Sequence, residues 1–196
     1  DPFINHHFHL EHVDRGFLTD EEIRLIMQKE FPTARLEQVR DIFIFSCFCG
    51  LAYIDVANLT EDNIVELDGK KWIMTRRKKT NIPSNILLLD IPLKIIEKYR
   101  GKTKDNRLLP VLSNQKMNAY LKEIADVCGV RKTLTYHLAR HTFATMTLSK
   151  GVPIESVSKM LGHTNIKTTQ IYARITNKKI EQDMMELSKK LDCFNV

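Results

Sequence analysis

The 196-residue chain, 43% hydrophobic and 28% charged, has the composition of an ordinary soluble globular protein and is long enough for one domain with a sizeable core. No stretch is long and apolar enough to span a membrane and no signal peptide is visible; Cys47, Cys49, Cys128 and Cys193 show neither a Cys-x-x-Cys pair nor metal-ligand spacing, which suits a reducing cytoplasm. The formal net charge of +6 hints at nucleic acid without proving it.

Residues 1–15 have weak periodicity and carry His6, His7, His9 and His12 with no Cys or acidic partner at metal-site spacing, so they read as an entry linker to a domain at 16–196. The chain starts at Asp1 without a Met, which points to a fragment with an upstream domain outside it. Thr19 with Glu22 forms a capping box for a helix running to about Lys29, and Pro32 stops it. Residues 36–49 are apolar on nearly every side, as a central buried helix is, with Cys47 and Cys49 as small core residues and Gly50 as the stop. A short helix follows at 54–59. Residues 64–67, the turn Asp68-Gly69 and residues 71–76 give a hairpin signal, and 85–89 reads as a third strand between Pro83 and Pro92. The remaining segments read as helices at 92–99, 113–128 (cap Ser113, stop Gly129), 136–150, 154–161, 166–173 and about 178–191. The class is mostly α with a small three-stranded antiparallel sheet.

Two groups of residues carry chemistry. Lys70, Lys71, Arg76, Arg77, Lys78 and Lys79 share a ten-residue window without an acid. Alone it reads as a solvated hairpin; beside the second group, a phosphate-contacting hairpin is the better reading. That second group is His137, Arg140, His141, His163 and Tyr172. His137 and Arg140 are three apart on one predicted helix, among Leu138, Ala139, Phe143, Ala144 and Met146. An arginine buried there is costly without an anionic partner, and a phosphate would supply one. His137 and His141 have the spacing of a helical zinc pair, but Leu138 stands where a metalloprotease has Glu and no further ligand is evident, so zinc ranks below phosphate and His141 reads as a core histidine. A lone Tyr near a chain end is usually core or surface, and Tyr172 gains meaning from its surroundings. Phosphoryl transfer needs a nucleophile, cations on the equatorial oxygens and a proton donor for the leaving oxygen. Tyr172 would attack, Arg140, His137 and His163 would hold the phosphate, and Lys79 would protonate the leaving 5′-oxygen. A phenol titrating near 10 needs such a cationic setting to react at neutral pH. A tyrosyl-phosphate keeps the bond energy for rejoining, so neither metal nor nucleotide cofactor is needed.

From residue 16 onward the chain resembles the catalytic domain of the tyrosine recombinases, the phage-integrase family. Residues 137–145 (His-Leu-Ala-Arg-His-Thr-Phe-Ala-Thr) look like its His-x-x-Arg-His box, and Leu161-Gly162-His163 followed by Tyr172 looks like its second box and nucleophile. The resemblance does not take in the family's N-terminal core-binding domain, which is expected upstream of these residues. Residues 50–59 (Gly-Leu-Ala-Tyr-Ile-Asp-Val-Ala-Asn-Leu) and 72–80 (Trp-Ile-Met-Thr-Arg-Arg-Lys-Lys-Thr) are similar to integrases of Bacteroides-type mobile elements. The resemblance implies a 3′-phosphotyrosine on Tyr172, a free 5′-hydroxyl, and Lys79 as general acid with Lys78 as rival, since a one-residue slip moves a strand side chain to the other face. It also implies DNA contacts from Lys70, Lys71, Arg76 and Lys78, a homotetramer on duplex attachment sites, accessory DNA-bending proteins, and work in the bacterial cytoplasm at the nucleoid. One position departs: Ala52 stands where the family's first arginine follows Thr-Gly-Leu. In a strand Arg77 would share a face with Lys79, making it the best substitute, with Arg40 second. The stripe Ile180, Met184, Leu187 and Leu191 packs on its own domain or, as the family's tail often does, on a neighbouring protomer. Two rivals share these features. One is a DNA-binding regulator without catalysis, using 154–173 as a helix-turn-helix with Gly162 in the turn; the other is a type IB topoisomerase.

Overall fold

The apolar run that begins near Leu36 becomes the helix around which the others pack. The computed structural model describes residues 16–103, 106–173 and 177–191. Helix α1 (Asp20–Gln28) starts with the capping box read from the sequence: the Glu22 amide donates to Thr19 Oγ1 at 3.2 Å and the Thr19 amide to Glu22 Oε2 at 2.8 Å. Helix α2 (Ala34–Cys49) follows, with Leu36, Val39, Ile42, Phe43, Phe45 and Cys47 all buried. Helices α4 (Asp90–Tyr99), α5 (Asn114–Cys128) and α6 (Tyr136–Ser149) pack on it, as does α1. Burial pushes the Cys47 and Cys49 thiols up, so both sit as protonated core groups. Polar ties cross the same seam. Lys98 Nζ and the Tyr99 hydroxyl both donate to Asp41 Oδ2, at 2.6 and 2.9 Å.

Strands β1 (Ile64–Leu67), β2 (Lys70–Arg76) and β3 (Pro83–Leu87) form one antiparallel sheet in that order, registering Ile64 with Ile73 and Trp72 with Leu87. Asp68 and Gly69 both have positive φ, as the tight two-residue turn requires. Two expectations need correction. The third strand begins at Pro83, not Asn85, because a proline is tolerated as the first residue of an edge strand, and Leu89 instead caps α4. Strand β2 ends at Arg76, so Arg77, Lys78 and Lys79 belong to the β2–β3 turn rather than to a strand. The basic window is therefore divided. Lys70 and Lys71 lie at one end of β2 and Arg76 to Lys79 at the other, about 20 Å apart for a seven-residue strand.

The short helix α3 (Tyr53–Ala57) follows α2. Helices α7 (Ile154–Met160), α8 (Lys167–Gln170) and α9 (Asn177–Leu191) close the chain. Phe143, Ala144, Val157 and Leu161 form a second, smaller core against which Tyr172 packs. The helix expected over 166–173 gives out at Gln170, which leaves Tyr172 on the turn beyond it. Among the described residues the stripe on α9 is largely turned to solvent: Ile180, Met184, Leu187 and Leu191 are 42–58% exposed. The entry linker with its four histidines, and Cys193, lie outside the described residues. Among the described residues no helix is long and apolar enough to cross a membrane.

Candidate active site

Arg140 sits on α6, whose start is capped by Thr135. It is 5% exposed. Its Nη1 donates to the Gly50 carbonyl and its Nη2 to the Leu161 carbonyl, both at 2.6 Å. The guanidinium thus ties the end of α2 to the end of α7. Gly50 makes this approach possible. It closes α2 at φ +68°, and a Cβ there would lie 2.3 Å from Phe143 Cδ1. Burial first, and then the positive charge of Arg77, push the Arg140 pKa down to about 10, which leaves it charged at neutral pH. Two carbonyl dipoles take two of its five N–H donors and supply no counter-charge.

Arg77 reaches the same place from the sheet. Its amide donates to Ile82 O at 2.9 Å and its carbonyl accepts from the Asn81 amide at 2.8 Å, closing the β2–β3 turn. Its side chain turns inward. Nε donates to Asp55 Oδ2 at 3.4 Å and Nη1 to the Leu161 carbonyl at 3.3 Å, the oxygen that Arg140 also holds. Asp55, buried on α3, accepts from the Lys78 amide at 2.8 Å through its other oxygen. The path between is open because residue 162 is glycine. A Cβ on Gly162, at φ +59°, would lie 2.6 Å from Arg77 Cδ. Sequence reasoning missed Asp55; its signal was a carboxylate inside an apolar one-turn helix, which demands a cationic partner.

The second arginine considered for the gap at Ala52 is occupied elsewhere. Arg40 donates to Asp41 Oδ1 at 2.6 Å and, through Nη1, to the carbonyls of Met27 and Lys29 at 2.9 and 3.1 Å. It closes the C-terminal end of α1, where unpaired carbonyls attract a cation.

The histidines differ in exposure. His137 is exposed in the first turn of α6, its ring centroid 4.4 Å from that of buried His141, and the His141 ring is 5.1 Å from that of Tyr172. His163 is half-buried, its Nδ1 2.8 Å from Thr169 Oγ1. Burial, then Arg140 and Arg77, push its pKa down to about 4, so the ring is neutral at pH 7. Tyr172 interacts electrostatically with Arg140 and, with Asp55, acts against the lowering of the Arg140 pKa. Lys78 and Lys79 are exposed on the turn that Arg77 closes. The register argument that made Lys78 a rival to Lys79 does not apply, because no strand runs there. Among the described residues no three His, Cys, Asp or Glu side chains converge as a metal site. The helix-turn-helix expected over 154–173 is absent as well: its second helix, α8, is a four-residue turn, too short to serve as a recognition helix.

Two guanidinium groups on one carbonyl, a neutral histidine and a neighbouring tyrosine form an arrangement whose chemistry suits an anion held beside a phenol. A profile of the phage integrase family matches residues 17–179, which takes in every one of these side chains. The chain belongs to the phage integrase family. Among its relatives, tyrosine recombinase XerA of Thermococcus onnurineus is 29% identical over 172 residues, covering 81% of this chain and 58% of that protein. A tyrosine recombinase of Pseudothermotoga lettingae is 30% identical over 189 residues, 89% of this chain and 60% of that one. This integrase domain thus spans about three fifths of the length of the curated relatives it matches. Its fold is that of the XerH site-specific recombinase in its post-cleavage complex with palindromic difH substrate, at TM-score 0.70 and 19% identity, over 87% of this chain and 52% of that one.

Proposed function

We propose that this domain cuts and rejoins duplex DNA through a 3′-phosphotyrosine on Tyr172, as part of a site-specific recombinase. The observation that carries the reading is the meeting of Arg77 and Arg140 on the Leu161 carbonyl, a doubly cationic pocket with one carboxylate to balance it. A phosphodiester supplies the missing negative charge and takes the fork of each guanidinium in the bidentate geometry that arginine favours. Tyr172 Oη, its phenolic proton released to solvent, attacks phosphorus, the bond from phosphorus to the 5′-oxygen breaks, and Lys79 gives the leaving oxygen its proton. Arg140, Arg77, His137 and His163 hold the non-bridging oxygens as charge builds on them. Rejoining runs the same steps backwards from the free 5′-hydroxyl. Arg77 stands in for the family arginine replaced by Ala52.

Within this reading Lys70, Lys71, Arg76 and Lys78 contact backbone phosphates from the two ends of β2. The partners are duplex attachment sites, a homotetramer assembled on them, and accessory DNA-bending proteins at the bacterial nucleoid. Residues 1–15 serve as the entry linker to a catalytic domain at 16–196. The wording of residues 50–59 and 72–80 supports an integrase of a Bacteroides-type mobile element.

A pool of nicked duplexes with a randomised core tests the chemistry, because the nick lets the cleaved strand diffuse away and traps the protein on DNA. The expected result is a covalent adduct that survives denaturation and disappears in Tyr172→Phe. No adduct from any sequence in the pool would overturn the proposal.

A further inference from the structure

Thr169 is six residues beyond His163 and fully buried, on the one-turn helix that leads to Tyr172. Its hydroxyl oxygen lies 2.8 Å from His163 Nδ1, and among the described residues that hydroxyl makes no other hydrogen bond. A hydroxyl has one proton to donate, and a neutral imidazole carries one N–H, on either nitrogen. If Nδ1 held the ring proton and donated it to Oγ1, the threonine O–H would be left in the interior without an acceptor, at the full penalty of an unmade bond. If the threonine donates to Nδ1 instead, both groups are satisfied and the ring proton sits on Nε2. From this geometry we infer that Thr169 fixes His163 as the Nε2–H tautomer, so that its ring offers a donor rather than an acceptor to a non-bridging phosphate oxygen.

Thr169 is a positioning residue: it acts through His163 and touches no reacting atom. The inference rests on the strand-cleaving reading for its purpose, but its geometry stands apart from that reading. The ring is neutral at pH 7, because burial and the flanking Arg140 and Arg77 hold its pKa near 4. Tautomer, and not charge, therefore decides whether it donates. The wrong tautomer would aim a lone pair at an anion between two arginines. The α8 backbone keeps the threonine in reach, since its amide bonds back to the Ile166 carbonyl at 2.8 Å.

The test combines two measurements on the full chain. Ring 15N spectra at pH 7, with His163 assigned by its loss in His163→Gln, report which nitrogen carries the proton. Single-turnover adduct formation on the nicked duplex pool reports the rate. The wild type is expected to show His163 protonated on Nε2. Thr169→Val keeps the shape and removes the hydroxyl; its ring signal is expected to move toward the Nδ1–H form, and its cleavage to fall about tenfold to a hundredfold, the range of a lost orienting hydrogen bond, with DNA affinity unchanged. Thr169→Ser is expected to restore both. A wild-type ring protonated on Nδ1 would overturn the inference, as would a valine variant that slows cleavage without moving the ring signal. A wild type that forms no adduct would instead count against the strand-cleaving reading, and the ring spectrum would still decide the tautomer.

Discussion

A guanidinium carried on a turn has more freedom to lose than one carried on a helix, and three neighbours restrain Arg77: the Asp55 carboxylate, the Leu161 carbonyl and the bare Cα of Gly162. Substitution of Arg77 itself and of two of these neighbours tests the arrangement. Arg77→Ala is expected to abolish cleavage, by a hundredfold or more as for the loss of one preorganised charge-stabilising donor (on the order of 10²–10³), while DNA binding stays nearly intact; wild-type cleavage in that variant would remove Arg77 from the site. Gly162→Ala puts a methyl 2.6 Å from Arg77 Cδ at a left-handed backbone position, so it is expected to mimic Arg77→Ala while the chain stays folded by circular dichroism. Asp55→Asn keeps an oxygen for the Lys78 amide but loses the charge that holds Nε, and a fall of about tenfold in single-turnover rate is expected (a charge-assisted bond is worth roughly 1.5–3 kcal/mol). Equal rates for Asp55→Asn and wild type would mean that the Leu161 carbonyl alone positions Arg77.

At the scale of elements, the C-terminus of α2 does two jobs at one residue. Gly50 ends the helix in the left-handed conformation and lends its carbonyl to Arg140, with Phe143 packed against its Cα. Gly50→Ala combines a strained φ with an overpacked contact, so denaturation by urea is expected to reveal a loss of about 1–3 kcal/mol. An unchanged midpoint would mean that Phe143 moves aside freely. The exposed stripe on α9 is the other element with an unspent face. Its Ile180, Met184, Leu187 and Leu191 present an exposed apolar stripe, and if that stripe docks on a second protomer, removing residues 178–196 is expected to lower the assembly state seen by sedimentation on DNA. The same sedimentation profile with and without the tail would exclude docking in trans.

At the scale of the whole molecule, the burial of His163 beside Arg140 and Arg77 imposes a pH dependence on folding. His163 titrates near 4 in the folded chain against 6.5 when unperturbed, so between those values the unfolded state binds more protons. Stability therefore rises with pH across that window and is lost as pH falls from 6.5 toward 4. His163→Gln removes this contribution, and urea midpoints measured from pH 7 down to pH 4.5 are expected to show the wild type losing ground to the variant; a constant gap would overturn the assignment. What was legible in the chain follows from range. The α1 capping box, the all-round apolar α2, the Asp68-Gly69 hairpin turn and the spacing of His137 and Arg140 on one helix are local patterns, decided by caps, periodicity and backbone sterics within a few residues; the approach of His163 and Tyr172 to that helix is not. The start of β3 and the placing of Arg77 and Lys79 on a strand were misread because a proline at an edge and a turn after Arg76 depend on pairing with the neighbouring strand. By itself, then, the sequence determined most of the elements, the core helix and the basic and histidine-arginine motifs from which the candidate site is drawn. Only the tertiary structure decided that Arg77 and not Arg40 joins Arg140, that Asp55 and Gly162 let it in, and that Thr169 holds His163. The reason is physical: the bonds from Arg77 to Leu161 and from Arg140 to Gly50 join residues 84 and 90 positions apart, and no local propensity encodes which carbonyl a long flexible side chain will meet.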